Sequence, residues 1–172
     1  MIPVVETERL FLRGYELEDF PVFSRIWGDE RVVRPLSIGP LGQEEAWGRF
    51  CRYVGHWNLL GFGTWAVVEK SSGEIIGEMG LFDFKRDLGP EFEGDPEQGW
   101  AMAPEAQGKG YATESALAAL AWGRAHFADF DPFCIISPVN HPSLRVADKA
   151  GYREVSRTLF KGGPAILFRL RG

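Results

Sequence analysis

The sequence predicts an α+β, or mixed α/β, fold, and three observations carry that prediction. Apolar residues recur at helical spacing in the first third of the chain, the period shortens to that of strands from Gly63, and a strand, a glycine turn and a helix follow one another between Glu97 and Phe127. With 172 residues, 45% of them hydrophobic, the chain suits one domain spanning 1–172 with a sizeable core.

Residues Glu8 to Arg13 alternate and read as a strand closed by Gly14. In the next segment Leu17, Phe20, Phe23, Ile26 and Trp27 stand three and four apart, which predicts an amphipathic helix stopped near Gly28. Pro35, Gly39, Pro40 and Gly42 mark a loop. A second helix is expected from Gln43 to about Tyr53, with Ala46, Trp47, Phe50 and Val54 on its apolar side.

The runs T-W-A-V-V-E-K and E-I-I-G-E-M-G-L-F flank S-S-G and read as a hairpin, followed by a loop over Lys85 to Asp95. After the glycine turn, Ala112, Ala116, Ala119, Leu120, Gly123 and Phe127 form a small-residue helical stripe that can lie close to a sheet. D-P-F-C-I-I-S-P reads as a buried strand. A helix follows from Asn140, with Pro142 in its first turn and Gly151 at its stop, and two strands, Tyr152 to Thr158 and Ala165 to Arg171, close the chain.

Nineteen basic residues against 24 acidic ones give a net charge of -5, which argues against a broad nucleic-acid-binding face and permits a cationic partner. No apolar run approaches the roughly 18 residues of a membrane helix, and the N-terminus lacks the pattern of a signal peptide, so the expectation is no membrane association and a cytoplasmic location. Cys51 and Cys134 lie far apart, and His56, His126 and His141 have no metal-ligand spacing, so no metal is expected. Cys134, within F-C-I-I, reads as a buried small hydrophobe. Monomer and homodimer both stay open.

The turn at Gln107, Gly108, Lys109 and Gly110 ends a strand and opens a helix, an arrangement whose free N–H groups suit a phosphate or pyrophosphate. It is not a Walker loop, because Ala103 stands where the first Gly is needed and Gly110 follows the Gly-Lys pair. Nor is it a dinucleotide fingerprint, because Thr113 occupies the last Gly or Ala position. The remaining pattern, Gln107-x-x-Gly110-x-Ala112, resembles the pyrophosphate loop of the GNAT superfamily of acyl-CoA-dependent N-acetyltransferases. The longer run P-E-A-Q-G-K-G-Y-A-T-E resembles its Rim-type branch of ribosomal-protein N-terminal acetyltransferases. Asn140, Ser143, Lys149, Gly151 and Tyr152 match the superfamily's N-x-x-[AS] and K-x-G-[FY], and E-R-L-F-L-R with Gly77 and Gly80-Leu81-Phe82 extends the likeness over nearly the whole chain.

The resemblance implies a central, mostly antiparallel sheet with helices on both faces and a splayed strand pair holding acyl-CoA. It implies an acetyl-CoA-dependent N-acetyltransferase that transfers directly to a primary amine, either a protein N-terminal α-amine or a small molecule. A non-catalytic acyl-CoA-binding sensor or assembly module is the alternative. The cofactor-binding residues implied are Trp100, Ala101 and Met102 on the strand, Gln107, Gly108, Lys109, Gly110, Tyr111 and Ala112 at the turn, and Asn140 and Ser143 on the following helix. Tyr152 is expected beneath the sheet.

By the same likeness Glu97 is the first choice of general base, a solvated acid at a strand start being the alternative. Glu105 and Glu114 are less attractive. The superfamily's usual tyrosine acid is replaced by Ala147, which leaves Ser143 to protonate the departing thiolate; its alternative role is that of a helix-capping or first-turn serine. The acidic stretch Asp87, Glu91, Glu93, Asp95 and Glu97 leads to a further expectation, that the acceptor carries a second positive charge.

Overall fold

A computed structural model of the chain describes residues 1–170. The elements in order are β1 (Val5–Glu6), β2 (Leu10–Arg13), α1 (Phe20–Gly28), α2 (Glu30–Val33), α3 (Gln43–Leu60), β3 (Thr64–Glu69), β4 (Ile75–Phe82), β5 (Glu97–Met102), α4 (Tyr111–His126), β6 (Phe133–Ile136), α5 (His141–Ala150), β7 (Tyr152–Phe160) and β8 (Gly163–Leu170). The strands form one sheet in the order β1-β2-β3-β4-β5-β6-β8-β7. Every neighbouring pair is antiparallel except β5 and β6.

Several boundaries depart from the sequence expectation for identifiable reasons. The first helix opens as a single 3-10 turn, Leu17–Asp19, and becomes α-helical at Phe20, where Pro21 can occupy a first turn that needs no N–H donor. Leu17 stays 66% exposed. A short α2 lies in what reads as loop, started by Asp29, whose carboxylate accepts from the Arg31 N–H at 2.9 Å.

Helix α3 runs seven residues beyond Tyr53, because its stop is Gly61 at φ +74° and the glycines inside it do not break it. Its buried stripe is Ala46, Phe50, Tyr53 and Trp57, while Trp47 and Val54 are over 40% exposed. The first full strand is shorter than expected, and β7 and β8 extend to Phe160 and back to Gly163; Arg171 lies outside the described residues.

Helices cover both faces of the sheet. Strand β3 displays the division: Trp65 and Val67 join Leu10, Leu12, Met79, Ala116, Ala119, Leu120 and Tyr152 in the core under α4 and α5, while Ala66 and Val68 join Phe23, Trp27, Phe50 and Tyr53 in the core under α1 and α3. Tyr152 packs beneath the sheet as expected, its hydroxyl donating to Gln98 Oε1 at 2.8 Å while Gln98 Nε2 donates to the Ala116 carbonyl at 3.0 Å.

The feature that positions the site is the β5–β6 pair. It is in register only at Glu97 and Phe133 and then opens, so the far end of β5 is hydrogen-bonded on its β4 side alone. Between these two strands the sheet has a wedge.

Glycines in β4 are required by packing rather than by turns. A Cβ on Gly77 would stand 2.4 Å from the Ala101 carbonyl oxygen, and backbone cannot move aside as a side chain can. Gly77→Ala should therefore destabilise the fold by about 1–3 kcal/mol, whereas Gly48→Ala, in the interior of α3 with nothing within 4 Å, should stabilise it by about 0.4–1 kcal/mol. Denaturant unfolding of the two variants checks the opposite signs, and a tolerated Gly77→Ala would overturn the packing argument.

Candidate active site

Two cavities open where β5 and β6 part. The first, about 370 Å³, is lined from β4, β5 and α3, and the second, about 310 Å³, from the far end of β5, the glycine turn and α5. Pro35, Leu36, Trp100, Asn140 and Ser143 line both, so the cavities adjoin at those five residues, three of them with polar side-chain groups. Volumes of this size hold small ligands or a portion of a larger one.

The second cavity gathers most of the cofactor-binding set expected from sequence: Trp100, Ala101 and Met102 from β5, Gln107, Gly108 and Gly110 from the turn, Tyr111 and Ala112 from α4, and Asn140 and Ser143 from α5. Lys109 is not on its lining; its carbonyl instead accepts from Arg9 Nη1 at 3.0 Å. Gly108 at φ +76° and Gly110 at φ +84° hold the left-handed conformation that makes the turn. The helix's first backbone bond runs from the Glu114 N–H to the Gly110 carbonyl, so the N–H groups of Tyr111, Ala112 and Thr113 lie ahead of it without intrahelical acceptors.

Glu114 has a structural task. Its carboxylate accepts from Thr7 Oγ1 at 2.6 Å, from the Arg9 backbone at 3.0 Å and from Arg9 Nε at 2.7 Å, tying the β1–β2 connection to the start of α4. Glu105 is exposed and meets only Arg31, at 3.5 Å. Arg145 and Lys149 of α5 add basic side chains to the second cavity.

Asn140 caps α5, its Oδ1 accepting from the Ser143 N–H at 3.2 Å. Ser143 is therefore a first-turn residue of α5, as its alternative reading has it, and is the capped residue and not the cap. Its Oγ accepts from Trp100 Nε1 at 3.2 Å, so strand and helix hold the hydroxyl between them across the wedge.

Glu97 lines the first cavity and is only 6% exposed, so the solvated-acid alternative fails. Arg86 grips it with both guanidinium arms, Nη2 donating to Oε1 at 3.1 Å and Nε to Oε2. Burial pushes the carboxyl above its ordinary range against the opposing pull of Arg86.

Sequence reasoning missed Glu78. It is 5% exposed on β4, also lines the first cavity, and accepts from Trp27 Nε1 at 2.9 Å and Tyr53 Oη at 2.7 Å. The available signal was an acid inside the apolar run I-I-G-E-M-G-L-F, where an uncompensated charge would be costly. Burial raises this carboxyl too, while Arg49, Tyr53 and Trp27 pull it down. Cys134 sits on the same lining as an inert buried thiol, pushed up well above its usual range by burial.

Of the five acids in the stretch from Asp87 to Glu97, only Glu97 is on the lining of the first cavity. Asp95 is held by Arg169 at 2.8 Å and Glu97 by Arg86, and the lining itself carries Arg49, Arg52, Arg86 and Lys161 against the two glutamates. Four cations facing two carboxylates leave the cavity positive.

A raised native carboxyl makes stability fall as pH rises. Below the ordinary 4.5 of a glutamate, Glu78 is protonated whether the chain is folded or not; above its raised native value, the folded state must bury the charge. The stability of the wild type relative to Glu78→Gln should therefore decline from about pH 4 to pH 7 in denaturant titrations. A difference independent of pH would show that burial does not perturb this group.

Comparison with known proteins agrees with this geometry. Residues 9–153 match the family model described as an acetyltransferase (GNAT) domain. A putative GnaT-family acetyltransferase from Bordetella pertussis is 30% identical with a TM-score of 0.86, the match covering 98% of this chain and 99% of that one. The uncharacterized N-acetyltransferase YnaD of Bacillus subtilis is 28% identical over 87% of this chain and 82% of its own length. At 16% identity and a TM-score of 0.74, over 95% of this chain and 94% of the other, spermidine N-acetyltransferase from Vibrio cholerae, solved with CoA and spermine, shares the fold. With a family model over most of its length and a wedge of this form in its sheet, the chain belongs to the GNAT acetyltransferases and is an acyltransferase.

Proposed function

We propose that the chain is an acetyl-CoA-dependent N-acetyltransferase of the Rim-type branch, its domain spanning residues 1–172, acting in the cytoplasm on a primary amine that is either a small molecule or a protein N-terminus. The observation that carries the reading is the meeting of two cavities at Trp100, Asn140 and Ser143: the second takes the donor, the first takes the acceptor, and the reacting atoms meet between them. The second cavity fits the donor in kind, because turn and helix N–H groups, Arg145 and Lys149 suit a pyrophosphate and the open edge of β5 suits an amide-bearing arm. Bound acetyl-CoA supplies an activated acyl carbonyl and a thiolate leaving group.

The chain's own residues do the rest. The backbone of β5 beyond Gly99, freed from β6, offers N–H and C=O groups to the donor's arm and thioester oxygen. Glu97 takes the proton from the attacking amine, directly or through water, and Arg86 fixes its orientation. Ser143 accepts from Trp100, which leaves its own O–H free to turn toward the sulfur; a thiol pKa near 8.5 makes that protonation undemanding.

Gly110→Val would put a branched side chain on a backbone at φ +84°, where the donor must approach. CoA affinity measured by calorimetry should drop at least tenfold or so in the folded variant, with unchanged affinity refuting the placement.

Catalysis can be read from kcat against pH, where the free acceptor's titration does not enter. The acid limb should lie above the ordinary glutamate value of 4.5, because burial raises Glu97. Arg86→Gln should move the limb still higher by removing the charge that favours the carboxylate. Glu97→Gln should cost roughly 10²-fold to 10⁴-fold in kcat, and Ser143→Ala roughly 10-fold to 10³-fold, both with CoA affinity nearly intact. A limb unmoved in the Arg86 variant removes Glu97 from the mechanism, and full turnover without the Ser143 hydroxyl removes that residue.

A further inference from the structure

The first cavity carries a pattern of charge that acetyl transfer alone does not require. Its cations come from three separate parts of the chain: Arg49 and Arg52 from α3, Arg86 from the segment after β4, and Lys161 from the β7–β8 turn. Two of them have fixed tasks. Arg86 is committed to Glu97, and Arg49 lies 3.5 Å over the Trp27 ring with its Nε donating to the Tyr53 hydroxyl at 2.7 Å.

Arg52 and Lys161 have no ion-pair partner among the described residues; both are exposed, at the mouth of the cavity. They end a row in which cations and rings alternate. Arg52 lies 4.5 Å over Phe84, Arg86 lies 5.2 Å from Phe84 and 4.7 Å from Phe160, and Lys161 lies 5.5 Å from Phe160. Each ring face steadies a cation without using its N–H groups, which stay free for an oxyanion.

Holding these charges together is unfavourable without an anion. Burial and then the nearby charges of Arg86, Arg49 and Arg52 pull the Lys161 ammonium below its ordinary value, and burial and Arg49 lower Arg52. The two carboxylates within the cavity do not supply the missing anion: Glu97 is taken by Arg86, and Glu78 lies under Trp27 and Tyr53. An acceptor bearing a second positive charge would meet an excess of like charge here.

We propose that the acceptor is an anionic amine, whose reacting nitrogen enters the first cavity while a carboxylate or phosphate oxyanion on the same molecule is held at the mouth by Arg52 and Lys161. The inference rests on the reading of the first cavity as the acceptor site and names the class of molecule that fills it. Arg52 and Lys161, from different elements 109 positions apart in sequence, line the same cavity and supply two cations to one oxyanion.

The test is equilibrium binding to the full chain saturated with CoA, run beside thiol release from acetyl-CoA. Phenylalanine is paired with phenylalaninamide, O-phosphoethanolamine with ethanolamine, and spermine serves as the cationic control. The anionic member of at least one pair should bind about tenfold or more tighter than its neutral partner. Arg52→Gln and Lys161→Gln should each remove about tenfold of that preference while changing the neutral partner's affinity less than about threefold. In turnover the loss should appear in KM with kcat nearly unchanged. Preference in the first pair assigns a carboxylate and in the second a phosphate. Anionic preference in binding with no thiol release would keep the inference and overturn the acetyltransfer reading of this cavity. Equal binding within both pairs, or tighter binding of spermine, overturns the inference whether or not amines are acetylated.

Discussion

The site depends on one constraint, a parallel strand pair inserted into an otherwise antiparallel sheet and satisfied over a single register position. Antiparallel neighbours can run in register for their full length, as β4 and β5 do from Gly77 with Met102 to Phe82 with Glu97. Strand β6 has no such course. It is anchored at Phe133 beside Glu97, pairs through Ile136 with β8, and leaves by the turn in which the Asn140 N–H bonds to the Ser137 carbonyl. The edge of β5 beyond Gly99 is therefore left without a strand, which is tolerable for backbone polar groups only where a ligand or water can reach them. The wedge, the helix start facing it and the adjoining cavities all follow from that opening.

Electrostatics around the wedge are organised by burial more than by net charge. A chain of net charge -5 nonetheless lines its first cavity with four cations, because most of its acids lie elsewhere or are already engaged. The two acids that do reach the cavity survive there through different compensation, a bidentate guanidinium for Glu97 and neutral donors for Glu78. Glu78 takes its hydrogen bonds from neutral groups and meets Arg49 only through the field, while Glu97 and Arg86 form an electrically closed unit.

Most of the architecture was legible in the sequence because it rests on local chemistry. The change of period at Gly63, the glycines at 108, 110 and 151, and Pro142 in a first turn each fix a backbone conformation on their own. The second cavity was legible for the same reason, its lining being largely one contiguous stretch from Trp100 to Ala112 with Asn140 and Ser143 added. The first cavity was not. Arg49, Glu78, Arg86 and Lys161 come together only when α3, β4 and the β7–β8 turn are folded over one another, and no spacing along the chain announces that convergence. The same limit hid the partners of the acidic stretch: a row of acids says nothing of Arg86 and Arg169, which pair with two of its five members, Glu97 and Asp95. The α3 stripe was misplaced because Trp47 is apolar enough to look buried, yet it lies on the side of the helix where the sheet is not.

The floor of the first cavity shows how missing side chains make room for the present ones. Gly80 and Gly99 face each other across β4 and β5, and a Cβ on Gly99 would come within 2.6 Å of the Phe82 ring. On that face the glycines separate Glu78, opposite Ala101, from Glu97, opposite Phe82. Four residue steps of extended strand separate the two register positions, so their backbones stand about 13 Å apart along the sheet. The two carboxyls have no hydrogen-bonding partner in common, Glu97 being held by Arg86 and Glu78 by Tyr53 and Trp27. Each titrates in its own surroundings: against the upward push of burial, Arg86 is the main counterweight for Glu97, and Arg49, then Tyr53 and Trp27, for Glu78, so one cavity holds two perturbed acids in separate positions.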